Sequence, residues 1–151
     1  MCLPNIDVSK TKELELYVNG LYEKIKASAE KDDIYIPLEY EFTDKPQKRF
    51  SPIWVYTDGN KYFMCEMSDR GGVAKSTFNK LFDVSFFVIS NHVMNMACFY
   101  EQKCKKTQRD PRRIRFAKYL QLMELVREDY YVTAKNEIDD IVRSYPYNDN
   151  Y

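Results

Sequence analysis

The fold class is set by the stretch IWVYTDGNKYFMC, which occupies residues 53–65. Two runs of β-branched and aromatic residues flank the dipeptide Asp58-Gly59, and this arrangement is a strong short-range signal for a β-hairpin. With a two-residue turn, Thr57 faces Asn60 and the cross-strand register is fixed. The chain therefore contains an antiparallel sheet and not helices alone.

The residues before the hairpin predict a helix followed by a strand. From about Val8 to Ala29, apolar residues recur at three- and four-residue steps among Lys and Glu, which is typical of an amphipathic helix. From Ile34 to Phe42, apolar and polar residues alternate, which predicts a half-buried strand. Because Pro37 cannot donate to a ladder, we place this strand at the sheet edge.

After Gly71-Gly72 no run alternates, and the remaining residues predict three helices. The first runs from about Thr77 to Lys105 and is apolar nearly all round, so we expect it to be central and buried. The second opens at Asp110-Pro111, an acid at the N-cap followed by proline at the first helical position.

The third helix runs from about Asp129 and stops before Pro146. The predicted architecture is α+β: an N-terminal helix, a small antiparallel sheet with a hairpin at Asp58-Gly59, and three C-terminal helices packed on it. A length of 151 residues suits one domain, which we assign to residues 1–151.

Composition narrows the class of protein. Lys and Arg number 23 and so do Asp and Glu, so the whole molecule has no field that would steer it to nucleic acid or to an anionic membrane. The start of the chain lacks the features of a secretory signal, and the four cysteines form no C-x-x-C pair. We expect a cytoplasmic protein with no membrane span.

Residues 71–77, GGVAKST, resemble a phosphate-binding P-loop but lack two of its residues. The pattern G-x-x-x-x-G-K-[ST] needs glycine where this chain has Asp69 and Ala74, so backbone amides could not wrap the phosphates, and Asp69 would repel them. We interpret the segment as a glycine turn that leads into a helix.

No other group of residues predicts catalysis or metal binding. A Ser/His/Asp triad or a histidine metal site would need His92, the one histidine, which lies in the most apolar predicted helix and fits a core position. Paired acids such as Asp139 and Asp140 lie on predicted solvated faces, with no acid predicted opposite them. We expect no catalytic residue, no cofactor and no metal.

Charge is concentrated locally. Seven bases and one acid between Lys103 and Arg115 give +6, whereas the stretch from Glu124 to Asp140 gives −4. The last two helices are joined by a short turn, so we expect them to pack antiparallel and to neutralise much of this charge within the fold.

Arg112 and Arg113 occupy the first turn of their helix, where the macrodipole disfavours a cation by about 0.3–1 kcal/mol. Each arginine therefore needs an anion. We favour an internal partner among Asp139, Asp140 and Asp149 over a partner on another molecule.

Residues 110–116, DPRRIRF, form an acid-x-Arg-Arg opening with an aromatic residue three positions on, and residues 145–149 read YPYND. Together with residues 97–101 and 69–71, they resemble the immunity protein 63 family of bacterial polymorphic-toxin systems. The similarity runs from about Tyr62 onward. The matching positions are Asp69, Arg70, Gly71, Glu101, Asp110, Arg112, Arg113, Phe116, Pro146 and Asp149.

This resemblance implies an antidote made beside a secreted toxin in bacterial competition, which binds that cognate toxin and blocks it. The matching positions would then be structural or partner-binding residues, and no catalytic residue carries over. The residues alone leave two alternatives open: a regulatory adaptor for another protein, and a small enzyme as a weaker option. No nucleic-acid or membrane partner is expected.

Overall fold

The computed structural model describes residues 10–45, 53–68, 70–106 and 108–149. They fall into two units: one lies within Met1–Gly20 and Leu38–Phe87, and the other within Leu21–Pro37 and Val88–Tyr151. The assignment of residues 1–151 to one domain stays a prediction.

The N-terminal segment is helical, as predicted. Helix α1 spans Thr11–Tyr22, a 3-10 turn spans Glu23–Ile25, and helix α2 spans Lys26–Lys31; the predicted start at Val8 lies outside the described residues. The segment ends in a Schellman motif, in which Asp33 takes the left-handed conformation with φ 55° and the amide of the next residue donates to the Ala29 carbonyl at 3.0 Å.

The predicted strand from Ile34 to Phe42 is wrong in its extent. Only Glu41–Phe42 forms a strand, β1, at the edge of the sheet and parallel to its neighbour. Side chains satisfy the backbone of Ile36 instead: the Tyr22 hydroxyl donates to its carbonyl, and its amide donates to Met96 Sδ at 3.4 Å. These bonds take the place of a ladder.

The hairpin is present, but its predicted register is wrong by two residues. Strands β2, Ile53–Thr57, and β3, Tyr62–Met67, pair antiparallel, and Thr57 faces Tyr62 instead of Asn60. The loop has four residues because the Asp58 carboxylate accepts the amides of Asn60 and Lys61, each at 2.8 Å. This Asx-type turn competes successfully with a two-residue turn.

The expectation that no strand follows Gly72 is also wrong. Strand β4, Val73–Phe78, pairs antiparallel with β3 and completes a mostly antiparallel sheet of order β1-β2-β3-β4. A turn with Gly71 at φ 81° joins the two strands. The side chains of residues 73–77 are exposed on both faces, so no apolar alternation marks this strand in the sequence.

Helix α3, Leu81–Lys103, starts four residues after its predicted position. By length and composition it could cross a membrane, but a core helix of a soluble protein passes the same test. Its fully buried apolar residues, which favour a core helix, are Val84, Val88, Ile89, Val93, Met96 and Ala97. Phe87 and Phe99 are exposed, contrary to the expectation of burial nearly all round.

Helices α4, Arg112–Val126, and α5, Glu128–Ser144, follow with Arg127 alone between them. They pack against each other, and the ammonium of Lys24 donates to the Val126 carbonyl at 3.2 Å, at the end of α4. The chain therefore has the predicted α+β content of an N-terminal helical segment, a sheet and three C-terminal helices.

Candidate functional site

Six of the ten sequence-predicted site residues lie where α4 begins and where the chain leaves α5. The first is Asp110, whose carboxylate is 4% exposed and accepts the backbone amide of Arg112 at 3.0 Å. Because Pro111 already has helical angles, with φ −62° and ψ −21°, Asp110 occupies the N-cap position expected from the sequence.

Arg112 ties the start of α4 to the segment after α5. Its guanidinium donates to both oxygens of Asp110, with the shortest bond 2.9 Å from Nη2 to Oδ2. The same group donates to the carbonyls of Tyr145 and Pro146, each at 2.9 Å. One side chain thus holds the ends of two neighbouring helices together, as antiparallel packing requires.

Arg113 forms a second link to the same segment. Its Nε and Nη2 atoms donate to the two carboxylate oxygens of Asp149 at 3.0 and 2.9 Å, which is the bidentate geometry preferred by arginine. Asp149 Oδ1 also accepts the backbone amide of Asp110 at 3.0 Å, and Asp110 accepts the amide of Asn148 at 2.9 Å. The two acids and the two arginines are therefore interlocked.

Tyr147 completes this arginine cluster, the name used below for Asp110, Arg112, Arg113, Tyr147 and Asp149. The guanidinium carbons of Arg113 and Arg112 lie 4.2 and 5.3 Å from the centre of its ring, within cation–π range. The ring of Phe116, which is buried, lies 6.4 Å from that of Tyr147. Aromatic packing thus supports the ion pairs.

The predicted site residue Glu101 lies near the end of α3 and pairs with a neighbour of the cluster. Its carboxylate accepts from Arg115, with the closest nitrogen at 2.8 Å. Because Arg115 lies three residues after Arg112 on α4, the pair is on an adjacent part of the same helix surface. Sequence reasoning placed Arg115 in the basic run but not among the site residues.

Two carboxylates at the start of α4 compensate the unfavourable position of Arg112 and Arg113 in the first turn of the helix. Asp110 and Asp149 both accept backbone amides there, so they offset the helix dipole as well as the arginine charges. Asp149 is one of the three acids expected. The other two, Asp139 and Asp140, pair instead with Lys135 and Arg143 within α5, so that expectation is wrong for them.

The ion pairs keep both carboxylates ionised. Hydrogen bonds from the Arg112 side chain and then from the Asn148 amide hold the pKa of Asp110 well below its usual range. The Arg113 side chain, followed by the Asp110 amide, lowers the pKa of Asp149 to about 2. Neither acid can donate a proton near neutral pH, which argues against general acid catalysis at this site.

The remaining predicted residues lie in the other unit. Arg70 and Gly71 are exposed in the turn between β3 and β4, and Asp69 lies outside the described residues. The interpretation of residues 71–77 as a turn leading into a helix is wrong, because Lys75 lies within β4. Its ammonium is 4.3 Å from the centre of the Phe63 ring, far from the loop geometry of a P-loop lysine.

Other groups with catalytic potential are in structural settings. His92 is half-buried, and its ring meets that of Tyr22 edge-on at 6.1 Å between centres. Burial raises the pKa of the Cys65 thiol, which makes it a poor nucleophile. Within the described ranges, no three His, Cys, Asp or Glu side chains gather in a way that could hold a metal ion.

Sequence reasoning missed Tyr147 and the main-chain acceptors at residues 145 and 146. Tyr147 lies within the YPYND segment, two residues before Asp149, and an aromatic residue beside an acid expected to pair with arginine is a signal for cation–π packing. The carbonyl acceptors carry no sequence signal, because every residue has one.

Comparison with known protein families gives a match to a family of immunity proteins. The family described as Immunity protein 63 matches residues 60–140, just over half of the chain. The matched range contains β3, β4, α3, α4 and most of α5, and it includes both arginines of the cluster. Neither the curated proteins nor the solved structures gave a match.

Proposed function

This chain belongs to the Immunity protein 63 family, and from that membership we propose that it binds a cognate bacterial toxin and neutralises it by occlusion, without catalysis. The toxin is a product of a polymorphic-toxin system used in bacterial competition. The protein acts in the cytoplasm of the cell that makes it, where it protects that cell. The family match is the observation that carries this proposal.

The geometry of the arginine cluster supports binding rather than chemistry. Its carboxylates are held ionised by arginines and by backbone amides, so they are committed to structure and not to proton transfer. A surface that is fixed before binding loses little conformational entropy when a partner arrives, which favours tight association. An occluding protein needs such a surface.

Exposed anchor side chains lie beside the cluster. Tyr145 is 71% exposed, and the Arg113 side chain is 36% exposed although it pairs with Asp149. Tyrosine and arginine are enriched among the residues that dominate protein–protein binding energy. We assign these two side chains to the toxin-facing surface as part of the proposal.

Co-expression tests the proposal directly. The toxin domain encoded by the adjacent upstream gene is induced in cells with and without this protein, and growth is followed. We expect arrest by the toxin alone, rescue by co-expression, and a one-to-one complex of the two purified proteins. Absence of rescue, with no complex, would refute the proposal.

Recovery of the toxin distinguishes occlusion from the alternatives. Toxin released from the complex by denaturation and refolded should keep its intact mass and arrest growth again, because occlusion makes no covalent change. A permanently altered toxin would indicate an enzyme. A stable complex that leaves the cells sensitive would indicate a regulatory adaptor.

A further inference from the structure

The basic run between Lys103 and Arg115 divides into paired and solvent-facing charges. Four of its seven bases form ion pairs: Lys103 with Asp33, Arg112 with Asp110, Arg113 with Asp149, and Arg115 with Glu101. Lys105 and Lys106 are exposed and form no ion pair within the part of the chain that the structure describes. Arg109 is exposed beside them.

These solvent-facing bases border an open pocket of about 480 Å³ between the end of α3 and the start of α4. Its basic lining residues are Lys105, Lys106 and Arg109, and its apolar lining residues include Cys104, Pro111 and Ile114. Glu101 also lines the pocket, but its carboxylate is paired with Arg115. The positive charge of the lysines therefore borders an apolar surface formed by Cys104, Pro111 and Ile114.

A second depression of about 330 Å³ continues this surface along α4. Ile114 lines both depressions, and Ala117 and Gln121 line the second. Positions 111, 114, 117 and 121 recur at three- and four-residue steps, so they share one face of the helix. Ten residues of α-helix span about 15 Å, which makes the combined feature a groove longer than a compact ligand site.

The far end of the groove carries no net positive charge of its own. Lys118 lines it, but its ammonium bonds to the Asp32 carboxylate, and Arg113 is paired with Asp149. Charge and apolar character are therefore separated along the groove. A complementary partner must be acidic where it meets Lys105 and Lys106 and apolar where it meets Ile114 and Ala117.

We propose that this basic groove, lined by Lys105, Lys106, Arg109, Pro111, Ile114 and Ala117, binds an extended segment of the toxin that is acidic at one end and apolar along its length. The inference rests on the proposed function for the identity of the partner. Binding would bring anions to Lys105 and Lys106, which form no ion pair within the described residues, and it would cover the apolar face of α4. A bare polyanion would leave that apolar face uncovered.

Two variants test the two halves of the groove. Lys105→Glu/Lys106→Glu reverses the charge, and Ala117→Glu places a charge on the exposed apolar part. The matched controls are Lys12→Glu/Lys61→Glu and Ala27→Glu. These residues are also exposed, and the substitutions make the same chemical changes outside the groove. Melting temperature is measured for every variant, so that loss of folding is separated from loss of binding.

Affinity for the purified toxin domain is then measured by calorimetry at about 0.05 and 0.5 M salt. We expect wild-type binding to weaken with salt, and each groove variant to lose about tenfold or more in affinity at low salt while the controls change by less than about threefold. The double lysine variant should also lose most of the salt dependence.

The outcomes separate this inference from the proposed function. If wild-type protein binds the toxin and both groove variants bind equally well, the groove inference is wrong and the proposed function stands. If wild-type protein fails to bind, both are wrong. If the groove variants bind normally in vitro but fail to protect cells, the groove serves another ligand, and the inference is overturned.

Discussion

Replacement of Arg112 by lysine should destabilise the protein although it conserves the charge. The guanidinium of Arg112 reaches Asp110 and two carbonyls at once, those of Tyr145 and Pro146. A lysine ammonium is a compact point charge on a flexible stem, so it can stay near the carboxylate but cannot occupy all three positions. The Arg112→Lys variant should therefore lose both bonds to the segment after α5.

The size of the effect follows from those two bonds. Each contributes about 0.5–1.5 kcal/mol net, because the unfolded chain makes equivalent bonds to water, so the free energy of unfolding should fall by about 1–3 kcal/mol. For a protein of this length, each 1 kcal/mol moves the melting temperature by about 2–4 °C, which gives an expected fall of about 6 °C.

Arg143→Lys is the matched control, since it makes the same substitution within α5. Among the residues that the structure describes, Arg143 pairs with Asp140 alone, and both side chains are mostly exposed, so the free energy of unfolding should change by less than about 0.5 kcal/mol. Urea unfolding and thermal melting, each followed by circular dichroism, measure the free energy of unfolding and the melting temperature of both variants. Equal melting temperatures for wild type and Arg112→Lys would show that the Arg112 bonds to the Tyr145 and Pro146 carbonyls do not stabilise the fold. An equal fall in melting temperature for Arg143→Lys would show the same.

Three further predictions test local features of the fold. Gly20→Ala should stabilise the protein by about 0.5–1 kcal/mol because Gly20 lies inside α1 with open space around it. Gly71→Ala should destabilise it by about 1–2 kcal/mol because Gly71 has a φ of 81°. Thermal melting in which both substitutions shift the melting temperature in the same direction would contradict this pair of predictions. Asp33→Gly should stabilise by about 0.5–1 kcal/mol, because relief of the left-handed conformation outweighs loss of the exposed ion pair with Lys103. Urea unfolding that shows a net loss would count against the Schellman assignment. Because the pKa of Asp149 is lowered to about 2, its stabilising effect is present above about pH 4 and is lost as pH falls towards 2; the difference in melting temperature between wild type and Asp149→Asn should shrink over that interval, and a constant difference would show that the carboxylate charge is not responsible.

Periodicity in the sequence identified the elements that have one buried face. The helical pattern of residues 14–25 and the two runs around Asp58-Gly59 correspond to real elements because burial on one side selects the residues at fixed steps. Strand β4 was not predicted because its side chains are exposed on both faces and leave no apolar alternation. The register of the hairpin was predicted wrongly because the Asp58 side chain, and not the Asp-Gly dipeptide alone, determines the loop length.

The candidate site was predictable in composition but not in pairing. The cost of two arginines in the first turn of a helix correctly indicated that anions must be close to them. Which anions these are depends on how the chain returns after α5, and Asp149 lies 36 residues from Arg113 in the sequence. Local patterns carry no information about such a contact, so the sequence does not distinguish Asp149 from Asp139 and Asp140.

The basic run shows why local charge is a poor guide to function until its partners are known. Arg112 and Arg113 are the most conspicuous bases in the sequence, yet their geometry commits them to holding the segment after α5. Lys105 and Lys106 have no special position in a helix, yet they face solvent beside an apolar groove. The arginine cluster fixes Asp110, which lies between the groove residues Arg109 and Pro111, so its ion pairs hold the groove in place in addition to any contact that Arg113 makes with the partner. Because order established before binding reduces the entropy lost on association, the paired and the solvent-facing charges of the run act on the same binding event through different physical routes.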